Sequence, residues 1–226
     1  MRIVGHRGGA ALAPENTIAA FDAGVTAGVD DVEFDVRRTR DGVPIVIHDE
    51  TLDRTTALRG RVSETDHALI RTGAPEVPSL ESLCGWAAPR AVGLVLELKQ
   101  PDGSGRDDGL VAAAFGLLAR HGLVGRTVAI SFDHSSLAEL HALDPSARSG
   151  FLYGRTEPAG WPEWATGIHP HHAWITRELC DRAHAQGQYV HAWGFTPDRA
   201  AVEMLVGAGV DSLSADDPRL LVALLR

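Results

Sequence analysis

Short apolar runs alternate with amphipathic stretches along the whole chain. Runs over 2–6, 31–37, 91–98, 127–131, 148–152, 166–169, 188–193 and 211–214 have the length and apolar content of buried strands. Between most of them, segments 16–27, 79–86, 110–120, 135–143, 176–186 and 200–207 read as helices. Gly28, Gly122 and Gly187 follow helical segments and suit left-handed C-caps, while Ser135 and Thr176 suit N-caps. The link over 153–165 holds Pro158, Gly160 and Pro162 and is predicted to be loop or one short turn. Eight strands interleaved with helices in 226 residues predict an α/β fold, a closed TIM (β/α)8 barrel, as a single domain over 1–226. The rival, an open doubly wound sheet, would favour a GxGxxG turn after the first strand. The chain reads His6-Arg7-Gly8-Gly9-Ala10 there instead.

One segment breaks the alternation. The apolar run 44–48 follows the second strand too soon for a crossover helix, and Asp41-Gly42 between them signals a two-residue β-hairpin extension. Pairing Arg40 with Val43 sets Asp35 directly across from His48, which would bring a histidine to a carboxylate. The connection from 49 to 79 is short, leaving little material for a lid and predicting an open site.

Composition narrows the partners. A formal net charge of -9 argues against nucleic acid or an anionic membrane held by bulk electrostatics, though a local anion site fits within it. No apolar run is long enough for stable membrane insertion, and the first one leads straight into His6-Arg7 without a secretory pattern, so a cytoplasmic location is expected. Cys84 and Cys180 lack metal-ligand spacing and read as buried apolar residues. Composition leaves the oligomeric state open.

Candidate chemistry gathers where a barrel keeps it, at the C-terminal ends of strands. His6 ends the first strand, Asp35 lies near the end of the second, and Glu97-Leu98-Lys99 ends the third. Period-two alternation puts Glu33 with Asp35 on one face, and Glu97 with Lys99 on another. Three converging carboxylates, Glu33, Asp35 and Glu97, form a hard all-oxygen ligand set suited to Mg2+ or Ca2+ rather than zinc. With two histidines and an arginine nearby, the residues suit metal-assisted phosphate chemistry.

The same residues carry a resemblance. His6-Arg7-Gly8 with Pro14-Glu15-Asn16-Thr17 resembles the opening signature of the glycerophosphodiester phosphodiesterase family. Glu33-Phe34-Asp35-Val36, Thr39-Arg40-Asp41-Gly42, His48-Asp49 and Leu52-Asp53-Arg54-Thr55-Thr56 follow in the family's order. Val77-Pro78-Ser79-Leu80 and Leu96-Glu97-Leu98-Lys99 continue it, and Trp193, Gly209-Val210-Asp211 and Asp216-Asp217-Pro218 resemble its closing strands. The resemblance implies a TIM barrel, one divalent cation, and hydrolysis of a small-molecule glycerophosphodiester to glycerol 3-phosphate and an alcohol. It implies His6 and His48 as general acid and base, Glu33, Asp35 and Glu97 as metal ligands, and Arg7 and Lys99 on the phosphate. Trp193 is either filling for the barrel or a stacking wall for glycerol. Two segments depart from the family pattern: Gly194-Phe195-Thr196 where Thr-Val-Asn is usual, and Ser214-Ala215-Asp216 where Ile-Thr-Asp is usual.

Plainer readings compete at several positions. Glu15 and Asn16 either start the first helix or contact the site. Asp53-Arg54 reads as an exposed pair, and His169, His171 and His172 as surface imidazoles of a loop interrupted by Pro170. Two alternatives compete with hydrolysis of small glycerophosphodiesters. A lysophospholipase D-type activity on longer lipids would show an exposed apolar rim, and a non-enzymatic binder of phosphorylated ligands would lack one of the catalytic residues.

Overall fold

The computed structural model describes every residue except 102–104, 155, 157 and 159. Nine strands form one sheet: β1 (Arg2–Gly5), β2 (Asp31–Arg38), β3 (Pro44–Val46), β4 (Gly93–Leu98), β5 (Thr127–Ser131), β6 (Arg148–Tyr153), β7 (Gly167–Pro170), β8 (Tyr189–Ala192) and β9 (Ser212–Ala215). All but β3 are parallel, in the order β1-β9-β8-β7-β6-β5-β4-β2, and β1 pairs back onto β2 to close a TIM barrel. The eight predicted strands are all present, with ends displaced by no more than about two residues, the usual uncertainty of a pattern-based boundary.

The helices are α1 (Ile18–Ala27), α2 (His67–Gly73), α3 (Leu80–Ala87), α4 (Leu110–Arg120), α5 (His134–Leu143), α6 (Arg177–Ala185), α7 (Arg199–Ala208) and α8 (Pro218–Leu225). Thr176 caps α6 as expected, but α5 starts one residue before Ser135 because the Asp133 carboxylate accepts from the Ser136 amide. Gly28, Gly122 and Gly187 all adopt positive φ. Two helices were not predicted. Short α2 offers too few turns for a periodic signal, and α8 begins directly after β9, with Asp217 as cap and Pro218 in its first turn. Among the described residues, the link from β6 to β7 carries no helix.

The hairpin corrects the predicted register by one residue. The turn is three residues long: the Thr39 amide bonds the Val43 carbonyl, and Gly42 supplies φ +85°. Thr39 Oγ1 holds the turn by accepting from the Val43 amide at 3.0 Å. Arg37 therefore pairs with Ile45, and the Asp35 carbonyl accepts from the Ile47 amide rather than facing His48. Beyond β3 the chain makes a small excursion with its own core of Ile45, Ile47, Leu52, Val62, Ile70 and Ala74.

Outside the barrel, strand and helix side chains form the main core, with Phe21, Phe34, Leu94 and Leu96 among its fully buried members. Inside, Val4, Val95, Val128, Ile130 and Leu152 pack together beside Tyr189 and Trp193. His169 is in that interior, 2% exposed, which corrects its reading as a surface imidazole. Gly150 makes the room: a Cβ there would stand 2.5 Å from the His169 ring.

Candidate active site

The His6-Arg7-Gly8 loop leaves β1 and folds flat onto α1. Gly8 has φ +89°, and a Cβ on it would lie 2.7 Å from the Ala20 backbone carbon. Arg7 is itself left-handed, with φ +48°, and its amide donates to Glu33 Oε2 at 2.7 Å. Asn16 shares this conformation at φ +59°. Its side chain donates to Asp35 Oδ2 at 2.8 Å and accepts from the Asp35 amide at 3.2 Å. These are the chain's only left-handed non-glycine residues among those described, and both touch the carboxylates. Such strain persists where surrounding contacts impose it.

Glu33, Asp35 and Glu97 are buried, and one oxygen from each lies within 4.8 Å of the others. Strand pairing explains this: β2 and β4 are neighbours in a register that sets Asp35 beside Glu97. Lys99 Nζ lies 2.7 Å from Glu97 Oε1 and 3.2 Å from Asp35 Oδ1, one cation shared between two carboxylates. Burial, then the charge of Asp35, pushes Glu33 and Glu97 above the usual carboxylate range. Asp35 is also buried, but Lys99, His48 and Arg7 outweigh that and hold it ionised. Three buried carboxylates this close, two of them pushed upward by burial and by Asp35 despite Lys99 and Arg7, fit the place of a divalent cation.

The two histidines line the same cavity of roughly 500 Å³, together with Arg7, Glu33, Glu97 and Lys99. Each presents Nδ1 to a carboxylate: His6 to Asp216 Oδ1 at 2.5 Å, His48 to Asp49 Oδ1 at 2.8 Å. That pairing fixes the ring and leaves Nε2 free to act; His6 Nε2 lies 4.0 Å from Glu33. Burial lowers His6, but the hydrogen bond to Asp216 and the charge of Glu33 outweigh it and raise the ring overall. His48 ends below its ordinary value because burial exceeds the pull of Asp35 and Asp49.

A chain of ion pairs connects the two halves of the site. Arg7 Nη1 bonds Glu15 Oε1 at 2.8 Å, Arg54 bonds Glu15 at 2.6 and 2.9 Å, and Arg54 Nε bonds Asp49 Oδ2 at 2.6 Å. Glu15 and Asn16 thus both contact the site, and Arg54, read from sequence as part of an exposed pair, holds the carboxylate behind His48. Sequence reasoning gave Asp49, Arg54 and Asp216 no such part. Their one signal was membership of the family motifs: Asp49 follows His48 directly, Arg54 lies in Leu52-Asp53-Arg54-Thr55-Thr56, and Asp216 opens Asp216-Asp217-Pro218.

Trp193 belongs to the opposite wall. Its indole N–H donates to the His169 carbonyl at 2.9 Å, and its ring meets Phe132 edge-on with centroids 5.7 Å apart. Below it, His191 bonds Ser212 at 2.8 Å and Ser214 at 3.1 Å and stacks on His169 at 4.5 Å. The structure therefore brings together all eight sequence-predicted site residues: His6, Arg7, Glu33, Asp35, His48, Glu97, Lys99 and Trp193.

Residues 6–220 match the model of the glycerophosphoryl diester phosphodiesterase family. A glycerophosphodiester phosphodiesterase of Caldanaerobacter subterraneus is 30% identical, covering 99% of this chain and 97% of its own length. One from Bacillus altitudinis is also 30% identical, over 96% of this chain and 95% of that protein. Among solved structures, an Oleispira antarctica phosphodiesterase in complex with the product sn-glycerol-3-phosphate superimposes with TM-score 0.87 at 26% identity, covering 100% of this chain and 96% of that one. A glycerophosphodiester phosphodiesterase from Agrobacterium tumefaciens gives 0.83 at 29% identity, with 99% of each chain covered. The barrel, the motif order and the end-to-end likeness agree: this chain belongs to the glycerophosphoryl diester phosphodiesterase family.

Proposed function

We propose that the protein hydrolyses glycerophosphodiesters to sn-glycerol 3-phosphate and an alcohol, moving protons through His6 and His48. The observation carrying this reading is the pair of imidazoles, each backed by a carboxylate at Nδ1, in one pocket with a buried carboxylate trio. Glu33, Asp35 and Glu97 would hold a divalent cation, Mg2+ or Ca2+. Bound there, it would supply positive charge against the negative charge growing on the phosphoryl oxygens.

The chain's own residues do the rest. Arg7 and Lys99 face the phosphate and oppose its charge. One imidazole takes a proton from the attacking oxygen as it bonds to phosphorus. The bond from phosphorus to the alcohol oxygen breaks, and the other imidazole protonates that oxygen. Overall one water is consumed, and each histidine contributes about 10²–10⁴-fold. Asp49 and Asp216 keep Nε2 of each ring aimed at the reacting atoms.

Release of glycerol 3-phosphate from glycerophosphoglycerol tests this directly. His6→Ala and His48→Ala are each expected to lower kcat by at least about 10²-fold. Variants that keep kcat within a few-fold of the native enzyme would overturn the proton-transfer roles.

A further inference from the structure

The pocket has two unlike walls. One is charged, with His6, Arg7, Glu33, His48, Glu97 and Lys99. The other is apolar and includes Ile130, Phe132, Leu152, Trp193 and Phe195, carried on or just after β5, β6 and β8. Phe132 is 51% exposed and Leu220 is 45% exposed, so large apolar side chains stand open to water at the mouth of a polar site.

Behind Phe132 lies a second hollow, which shares Phe132, Leu152 and Trp193 with the first and adds His134, Tyr153, Gly154, Thr156 and His171. No Asp, Glu, Lys or Arg lines it among the described residues. Several of its polar atoms are already engaged within the fold. Trp193 donates to the His169 carbonyl, His134 Nε2 pairs with the Leu152 carbonyl at 3.0 Å, and His171 Nδ1 accepts from the Ala173 amide at 3.3 Å. An apolar group lying against Phe132, Leu152 and Trp193 would take its own surface and theirs out of water.

Two glycines shape this hollow. A Cβ at Gly154 would crowd the Trp193 ring at 3.2 Å, and one at Gly194 would stand 2.5 Å from the His171 ring. Gly194 also has φ +80°, a conformation in which a threonine would be strained. Gly194-Phe195-Thr196 is thus a segment matched to His171 and Trp193, and it carries Phe195 to the pocket wall.

We infer that this hollow binds an apolar alcohol moiety, alkyl or aryl, of the phosphodiester substrate. The inference rests on the hydrolytic reading above. The hydroxyls of glycerol find partners on the charged wall, phosphorus lies between the walls, and the second ester oxygen leads toward Phe132 and Trp193.

Four substrates test it: glycerol 3-phosphate esterified to hexanol, to choline and to glycerol, and the glycerol ester carrying a hexanoyl chain on its glycerol 3-phosphate moiety instead. The hexyl ester is expected to exceed the glyceryl ester in kcat/KM by at least about tenfold. Phe132→Ala, at a half-exposed position whose unchanged Tm would confirm folding, is expected to collapse that ratio toward one. A native ratio near one, or a ratio that survives Phe132→Ala, would overturn the inference. So would a choline ester that outperforms the hexyl ester, or a gain seen only with the chain on glycerol. Failure to release glycerol 3-phosphate from the hexyl, choline and glyceryl esters, and its hexanoyl ester from the fourth, would instead contradict the hydrolytic reading itself.

Discussion

Beneath Trp193, His169 and His191 are stacked in the barrel interior and held neutral by burial. Burial, reinforced by the charge of His6, lowers His191 to about 3, and burial with the charge of His191 takes His169 well below its ordinary value. In the unfolded chain both titrate near their ordinary value, about 6.5. From there down to the folded value the unfolded state binds more protons, so stability falls as pH falls. For His191 the loss at pH 5 is about 2 kcal/mol. The drop in Tm between pH 7 and pH 5 is expected to shrink in His191→Asn, and an equal drop in both proteins would contradict this assignment. None of it was legible in the sequence. An isolated histidine in a strand does not announce which way it points, whereas His6 and His48 stood inside motifs. Asp216 was hidden for a related reason: 210 residues separate it from His6, and only closure of β1 against β9 brings them together.

Strands and most helices could be read from the chain because each buries a long apolar face with a regular period. Elements that depend on a single residue's backbone could not. The hairpin register turned on Gly42 taking a bulge position, which lengthens the turn by one residue. His48 still reaches the site, because it lies past the end of β3, where the chain turns back toward Asp35 and the Arg37 guanidinium holds its carbonyl at 2.8 Å. The loop between β1 and α1 is the element most exposed to substitution. Gly8→Ala forces a side chain into a left-handed residue and against α1, combining backbone strain with overpacking at about 2–4 kcal/mol. Chemical denaturation is expected to show this loss together with weaker activity, since the same loop positions His6 and Arg7. A variant as stable as the native protein would show that the loop has slack.

At the scale of the molecule, barrel closure assembles a site from residues that begin at 6 and end at 216. Strand ends and alternation put His6, Glu33, Asp35, Glu97 and Lys99 at one end of the barrel. Arg7 and the residues' roles came from the family resemblance, and the hairpin register offered for His48 was one residue off. The apolar wall was less visible, since Phe132 and Phe195 sit in loops after β5 and β8 where no periodicity applies. No helix among the described residues is long and apolar enough to cross a membrane. The overall charge of -9 surrounds a pocket where Arg7 and Lys99 supply local positive charge. The proposed hydrolysis depends on a cation held by Glu33, Asp35 and Glu97. The most direct measurement is glycerol 3-phosphate release before and after EDTA, with Mg2+ or Ca2+ then restored to native enzyme and to Glu97→Gln. Loss on chelation, recovery on add-back, and a higher metal requirement in Glu97→Gln are expected. Full activity that persists in EDTA would contradict the account.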